Sequence, residues 1–228
     1  MSNSISSSVW EREAIGEQSM SKNLFGLLIC FFTALGVAGF MATANFTQEI
    51  RPTWPLLLGA LLVSFVGIFL ALGSKNPLVS LIGYGIVVAA MGAITGPVIA
   101  QYTTASVVRV TFVTTSVVLI LGIVGAVIPD SLESWGTYLF SGLLILLIGL
   151  FIVPIAGAFG VPVKGAMTIL DWAGVVLFSA YVVYDLNIAM RLERTLDNSI
   201  DVALAVFLDW ANIFIRLLQL TGERKSGS

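Results

Sequence analysis

Two aspartates near the C-terminal end of this chain, Asp185 and Asp209, each lie inside a long apolar segment. Placing an ionisable group in the hydrocarbon core of a bilayer costs about 2.5–3.5 kcal/mol of insertion free energy even on a lenient scale. We therefore take each aspartate as a candidate functional residue. The polar segment 191–201 lies between them, about six residues after the first and about eight before the second. At about 1.5 Å rise per residue, two antiparallel helices bring both carboxyl groups to one depth, ~9–12 Å from the same face.

Two carboxyl groups in contact in a low dielectric cannot both ionise easily, so they tend to share a proton. Such a pair has a closed state with a bridging proton and a doubly charged state that repels and attracts a cation. The chain contains no histidine, so proton-sensitive behaviour must come from carboxylates. We therefore predict that Asp185 and Asp209 sense protons, act as a gate and bind a metal cation transiently. The residues alone do not choose among calcium, sodium and a proton.

Several polar residues accompany the pair. The supporting residues that we predict around it are Tyr184, Asn187, Asn212 and Arg216. Asp209, Asn212 and Arg216 share one helical face, since they are spaced at i, i+3 and i+7. Arg216 is expected either to snorkel or to pair with Asp209. Asp171 is expected to be an interfacial acid near the N-terminal end of its helix.

Long apolar segments must position these residues. Of the 228 residues, 57% are hydrophobic and 11% are charged, whereas soluble domains carry roughly 25% charged residues. A membrane-spanning helix needs ~20 apolar residues, and seven segments meet this measure: 24–46, 54–73, 77–100, 107–128, 135–155, 166–190 and 202–220. The short connections predict an all-α integral membrane protein, a bundle of seven transmembrane helices. Residues 23–221 form this membrane domain, with a polar tail before it (1–22) and a short polar tail after it (222–228).

Composition also excludes some classes. The net charge is −2 and no basic run is long enough to follow phosphates, so nucleic acid is not an expected partner. No cofactor is predicted. Apart from Arg216, the lysines and arginines divide equally between the two faces, five on each, so the positive-inside rule does not give the orientation.

Three other readings of the aspartate pair remain open. An intramembrane aspartyl protease would need space for substrate backbone, but Val206, Phe207 and Leu208 precede Asp209, so we do not expect an enzyme. A proton-coupled transporter would need a defined substrate pocket. A non-conducting modulator would bind another membrane protein through its helices or through the tail 1–22.

Two segments resemble the Bax inhibitor-1 family, also called the transmembrane Bax-inhibitor-motif family, and its bacterial-type members in particular. They are residues 178–187 (FSAYVVYDLN) and 205–220 (AVFLDWANIFIRLLQL), with a weaker likeness at 92–102 (GAITGPVIAQY). The paired Tyr-Asp-x-Asn and Leu-Asp-x-x-Asn-x-Phe patterns are fairly specific, and the resemblance covers roughly residues 22–222.

The resemblance implies a fold in which the last helix is central and the other six surround it. It implies a pH-sensitive calcium leak across the membrane, gated by a hydrogen-bonded aspartate pair that maps onto Asp185 and Asp209. It places the N-terminus on the cytosolic side. The membrane would be the plasma (inner) membrane in a bacterium, and the endoplasmic reticulum or another endomembrane in a eukaryote. Eukaryotic members are linked to suppression of cell death, and some bacterial relatives to a membrane-bound quality-control protease, which is the kind of membrane-protein partner implied.

One departure from the family concerns the latch on the aspartate pair. Members with the leak carry an arginine at the cytosolic end of the second helix, where this chain reads LGSKNP over residues 72–77. Lys75 is the candidate substitute, although lysine lacks the bidentate fork of arginine. Arg216 is the other candidate.

Overall fold

A computed structural model describes residues 19–51 and 53–225. The described residues form seven α-helices: α1 Lys22–Phe46, α2 Trp54–Gly73, α3 Pro77–Ile99, α4 Thr104–Val127, α5 Trp135–Ala158, α6 Lys164–Ala189 and α7 Leu196–Thr221. The first six of the seven predicted apolar segments correspond to α1 to α6 within a few residues, and their positions are therefore confirmed. Most of the predicted N-terminal tail (residues 1–18) and the end of the C-terminal tail (226–228) lie outside the described residues.

Six of these helices, α1 to α6, are long and apolar enough to cross a membrane. Many of their large side chains face outward, such as Phe69 and Phe112, which are 75% and 74% exposed. A soluble monomer rarely exposes contiguous apolar surface on this scale. The chain is therefore a multi-pass integral membrane protein.

The start of α7 differs from the prediction. The polar segment before the last helix was expected to be a turn as far as Asp201, but α7 begins at Leu196. The cause is local capping, because the Thr195 hydroxyl accepts a hydrogen bond from the Asn198 backbone N–H, as an N-cap does. Asp197 in the first turn adds a favourable interaction with the positive end of the helix dipole.

The chain divides into two compact units. Among the described residues, unit 1 comprises 19–51, 53–100 and 190–207, with α1, α2, α3 and the first part of α7. In it the helices approach closely at glycines: a Cβ on Gly92 would lie 2.7 Å from the carbonyl oxygen of Phe40, and one on Gly83 would lie 2.5 Å from the backbone nitrogen of Ala71. Small residues that permit such contacts are a common way of packing membrane helices.

Unit 2 comprises, of the residues that the structure describes, 101–189 and 208–225, with α4, α5, α6 and the second part of α7. The described part of the C-terminal tail pairs with the segment before α4. The Thr103 N–H donates to the carbonyl of Glu223, and the Lys225 N–H donates to that of Gln101. These bonds hold the end of α7 against the start of α4.

Candidate functional site: an aspartate pair on α6 and α7

Asp185 on α6 and Asp209 on α7 lie together in unit 2, and their carboxyl groups are hydrogen-bonded to each other. Asp209 is 5% exposed, and Asp185 is half-buried. The Oδ2 atom of Asp209 is buried and has no hydrogen-bond partner. The sequence spacing that places both residues at one depth therefore corresponds to a direct contact.

The hydrogen bond between these carboxyl groups has a chemical consequence. An ionised carboxylate only accepts hydrogen bonds, whereas a protonated carboxyl group also donates one. A hydrogen bond from one aspartate to the other therefore requires that one of them carry a proton. Loss of this proton would replace an attraction with repulsion between two carboxylates in a low dielectric.

Two tyrosines of α6 lie beside the pair. The phenol of Tyr181 is close enough to interact electrostatically with the carboxyl groups of both Asp185 and Asp209. The phenol of Tyr184 interacts in the same way with Asp185. The two tyrosine rings meet edge to face with centroids 6.5 Å apart. A Cβ on Gly136 of α5 would lie 2.8 Å from the Tyr184 hydroxyl oxygen, so the absence of a side chain there makes room for the phenol. Tyr184 was predicted as a supporting residue, but Tyr181 was not. Its i−4 spacing from Asp185 would have placed it on the same helical face.

Asn187 is fully buried at 1% exposure, and its contacts lead away from the pair. Its Nδ2 donates to the carbonyls of Gly125, Ile128 and Asp130 at 3.1–3.3 Å. Its Oδ1 accepts from the Leu132 N–H at 2.9 Å. Asn187 thus fixes the connection between α4 and α5 to α6, two residues after Asp185.

Asn212 bonds within its own helix, since its Nδ2 donates to the Leu208 carbonyl at 2.9 Å. Lys75 lies in the segment between α2 and α3 in unit 1, where it is exposed. Its role as a latch on the aspartate pair stays a prediction.

The structure places Arg216 against Asp171, with 3.5 Å between Nη1 and Oδ1. Both residues are buried, at 7% and 6% exposure. The expectation that Arg216 would snorkel or pair with Asp209 is therefore wrong. The physical reason is the length of the arginine side chain, which reaches across to α6 where Gly174 leaves room. The expected stabilisation of Asp171 by the N-terminal end of its helix is also wrong, because no acidic residue lies in the first turn of α6.

A membrane-spanning helical protein with a buried, hydrogen-bonded carboxyl pair is the class that this fold and site define. Comparison with known proteins makes the class specific. Residues 17–226 match the model of the family described as "Inhibitor of apoptosis-promoting Bax1". The chain belongs to the Bax inhibitor-1 family.

A curated relative from Borreliella burgdorferi, described as an uncharacterized protein, is 25% identical to this chain over 133 residues. The match covers 55% of this chain and 55% of the relative. The chain thus spans about half the length of that relative.

Proposed function

We propose that this protein is a pH-sensitive cation leak, with calcium as the ion, and that the Asp185–Asp209 pair is its gate. The observation that carries the proposal is the hydrogen bond between the two carboxyl groups, one on each of two helices, in a protein of the Bax inhibitor-1 family. A shared proton holds α6 and α7 together at this level. Loss of the proton leaves two like charges, which repel and attract a cation.

The pair supports brief binding of calcium rather than storage. Two carboxylates offer at most four oxygen atoms, whereas calcium takes six to eight oxygen ligands. A calcium ion held by Asp185 and Asp209 alone would keep much of its water and would leave readily. Weak binding of this kind suits conduction, because an ion must enter a site and also leave it.

We retain the prediction of a seventh span over residues 202–220, within α7, as the helix that the others enclose. Its support is the burial of α7 in each unit, for example Ala203 and Leu204 in unit 1 and Ile213 and Phe214 in unit 2, all at 0–1% exposure. Its polar residues account for the lower hydropathy of this helix. A buried helix meets protein instead of lipid, so it can carry aspartates and an arginine through the membrane.

The test is calcium uptake into proteoliposomes that carry the purified protein, measured from pH 5 to 8. We expect the flux to rise with pH, because deprotonation converts the bridged pair into the doubly charged one. Asp185→Asn and Asp209→Asn should each remove this pH dependence. Asp130→Asn is the matched control, since Asp130 is an exposed acid in the same unit, and it should leave the profile unchanged.

Flux equal to that of empty liposomes at every pH would overturn the leak. The runner-up function, a non-conducting modulator of a membrane-bound partner, would then be pursued by capture of that partner. The specific membrane, whether bacterial inner membrane or endomembrane, would follow from the localisation of the tagged protein.

A further inference from the structure

A second charged layer, formed by Asp171 and Arg216, lies between α6 and α7. It is farther than the aspartate pair from the connection that joins these two helices. The carboxyl of Asp171 and the guanidinium of Arg216 form an ion pair with both side chains buried. The guanidinium carbon lies 5.7 Å from the centroid of the Phe178 ring, a cation–π contact. A Cβ on Gly174 would lie 2.5 Å from the same carbon, so the guanidinium occupies the space that a side chain at position 174 would fill.

The spacing of the two layers follows from helix geometry. The contacts Asp185–Asp209 and Asp171–Arg216 run in opposite sequence directions, so α6 and α7 are antiparallel. Seven residues separate Asp209 from Arg216, which is nearly two turns and about 10 Å along one face of α7. Fourteen residues separate Asp171 from Asp185, nearly four turns along one face of α6. Both charged layers therefore lie on the facing sides of the two helices.

Arg216 is directed away from the aspartate pair. Because Asp209 contacts Asp185, position 216 is level with position 178, and the guanidinium indeed lies over the Phe178 ring. From this level the side chain extends to Gly174 and Asp171, which precede Phe178 and are farther from Asp185. Its Nε is buried without a hydrogen-bond partner. Asp171 thus neutralises the charge of Arg216, which lies between α6 and α7, the two helices that also hold Asp185 and Asp209.

We propose that the Asp171–Arg216 pair sets the charge that a cation meets after the Asp185–Asp209 gate, with Arg216 as the barrier and Asp171 as the residue that neutralises it. This inference rests on the proposed leak, whose ion path would follow α6 and α7. With both side chains present the layer is neutral. Removing the guanidinium makes the layer negative, and removing the carboxylate makes it positive.

Electrostatics predicts the order of cation flux among four chains. At an effective dielectric constant near 20, a unit charge about 10 Å from a divalent cation changes the occupancy of that cation on the order of a hundredfold. Allowing for screening by water and salt, Arg216→Gln should conduct calcium at least about tenfold faster than the wild type, and Asp171→Asn at least about tenfold more slowly. The double variant restores a neutral layer and should conduct within about threefold of the wild type.

The experiment measures calcium flux for these four chains in proteoliposomes at one pH, together with chloride flux. Chloride should show the reverse order, a reversal that loss of packing alone would not produce. Arg216→Lys keeps the charge and should stay close to the wild type. Thermal unfolding in detergent identifies any variant that fails to fold. If Arg216→Gln fails, the double variant compared with Asp171→Asn still isolates the removal of one positive charge.

The outcomes separate this inference from the proposed function. Wild-type flux that depends on the aspartate pair, with no ordering by charge at positions 171 and 216, would overturn the inference and leave the leak intact. A silent wild type with a conducting Arg216→Gln variant would support the barrier and reject the leak in the native protein. Silence in every chain would overturn both.

Discussion

Two pairs of interacting aspartates, one in each unit, show that neighbouring acidic side chains can have different consequences. In unit 2, Asp185 and Asp209 lie on different helices and are hydrogen-bonded to each other. In unit 1, Asp197 and Asp201 lie one turn apart on α7. There the Ser80 hydroxyl donates to Asp197 Oδ1 at 2.6 Å, and the Oδ1 of Asp201 is buried without a partner.

The difference lies in what can move. Two residues four positions apart on one helix keep a separation of about 6 Å along its axis whatever their charge. Repulsion between them raises their energy but moves no helix. Two residues on separate helices are held by their own hydrogen bond, so loss of its proton can separate the helices. Of these two pairs, only Asp185–Asp209 has the arrangement of a gate.

The largest effect that distinguishes the pairs is on flux. Asp185→Asn and Asp209→Asn should reduce calcium flux at pH 8 by about tenfold or more, since the doubly charged state can no longer form. Asp197→Asn and Asp201→Asn should change it by less than about twofold. Equal losses from all four substitutions, measured in the same proteoliposomes, would abolish the distinction.

The next effect is on stability and concerns Asp201, which precedes the predicted seventh span. Burial, and then the neighbouring Asp197, raises the pKa of Asp201 from 3.8 to about 8. The folded protein therefore holds a proton there that the unfolded chain releases, so this carboxyl lowers stability as pH rises from about 4 to about 8. Asp201→Asn should raise the melting temperature at pH 8 by several degrees and flatten its pH dependence in this window.

Thermal unfolding in detergent at pH 5, 6, 7 and 8 checks this prediction, with Asp130→Asn as the exposed control. A melting temperature of Asp201→Asn that falls in parallel with the wild type would show that Asp201 is ionised in the folded protein.

A loss of stability is expected when Asn187 is substituted. The substitution tests whether Asn187 supports the aspartate pair or the connection between α4 and α5. Asn187→Leu removes four hydrogen bonds to backbone groups between positions 125 and 132. Buried groups left unsatisfied cost about 1–3 kcal/mol each, so the free energy of unfolding should fall by about 4 kcal/mol or more. Asn212→Leu is the matched control, because the Asn212 amide donates to the Leu208 carbonyl of its own helix. If Asn187→Leu leaves stability unchanged but shifts the pH profile of flux, its role is at the carboxyl pair.

The smallest effect is expected at Ser80. Its hydroxyl joins Asp197 to the Ala71 carbonyl, at 2.6 and 3.0 Å. Ser80→Ala should lower the free energy of unfolding by about 1–2 kcal/mol. Ser64→Ala is the control, since the Ser64 hydroxyl bonds to the Ala60 carbonyl in its own helix and should change little. Chemical denaturation of both variants gives the comparison, and equal losses would show that the Ser80–Asp197 bond adds nothing.

The sequence predicts the helices well because hydrocarbon thickness fixes the length of an apolar segment. It also predicts the contact of Asp185 with Asp209, since two antiparallel helices joined by one turn bring residues equally distant from that turn to one level. The start of α7 at Leu196 was missed because the Thr195 cap outweighed the polarity of the segment.

The Asp171–Arg216 pair was not predicted because its partners are not level. Helix spacing places Arg216 on the face of Asp209, but an arginine side chain spans more than one turn and can reach in either direction. Its direction depends on where the facing helix leaves room, here at Gly174. Spacing along one helix does not contain that information.

The measurement that tests the central claim most directly is infrared spectroscopy of the protein in lipid, which detects the carbonyl stretch of protonated carboxyl groups. We expect a band whose frequency shifts in both Asp185→Asn and Asp209→Asn, is unchanged in Asp201→Asn, and weakens when calcium is added to the wild type. This result would show one proton shared by the pair and displaced by the cation. A spectrum in which neither substitution at the pair shifts a band, or in which calcium leaves every band unchanged, would contradict the account.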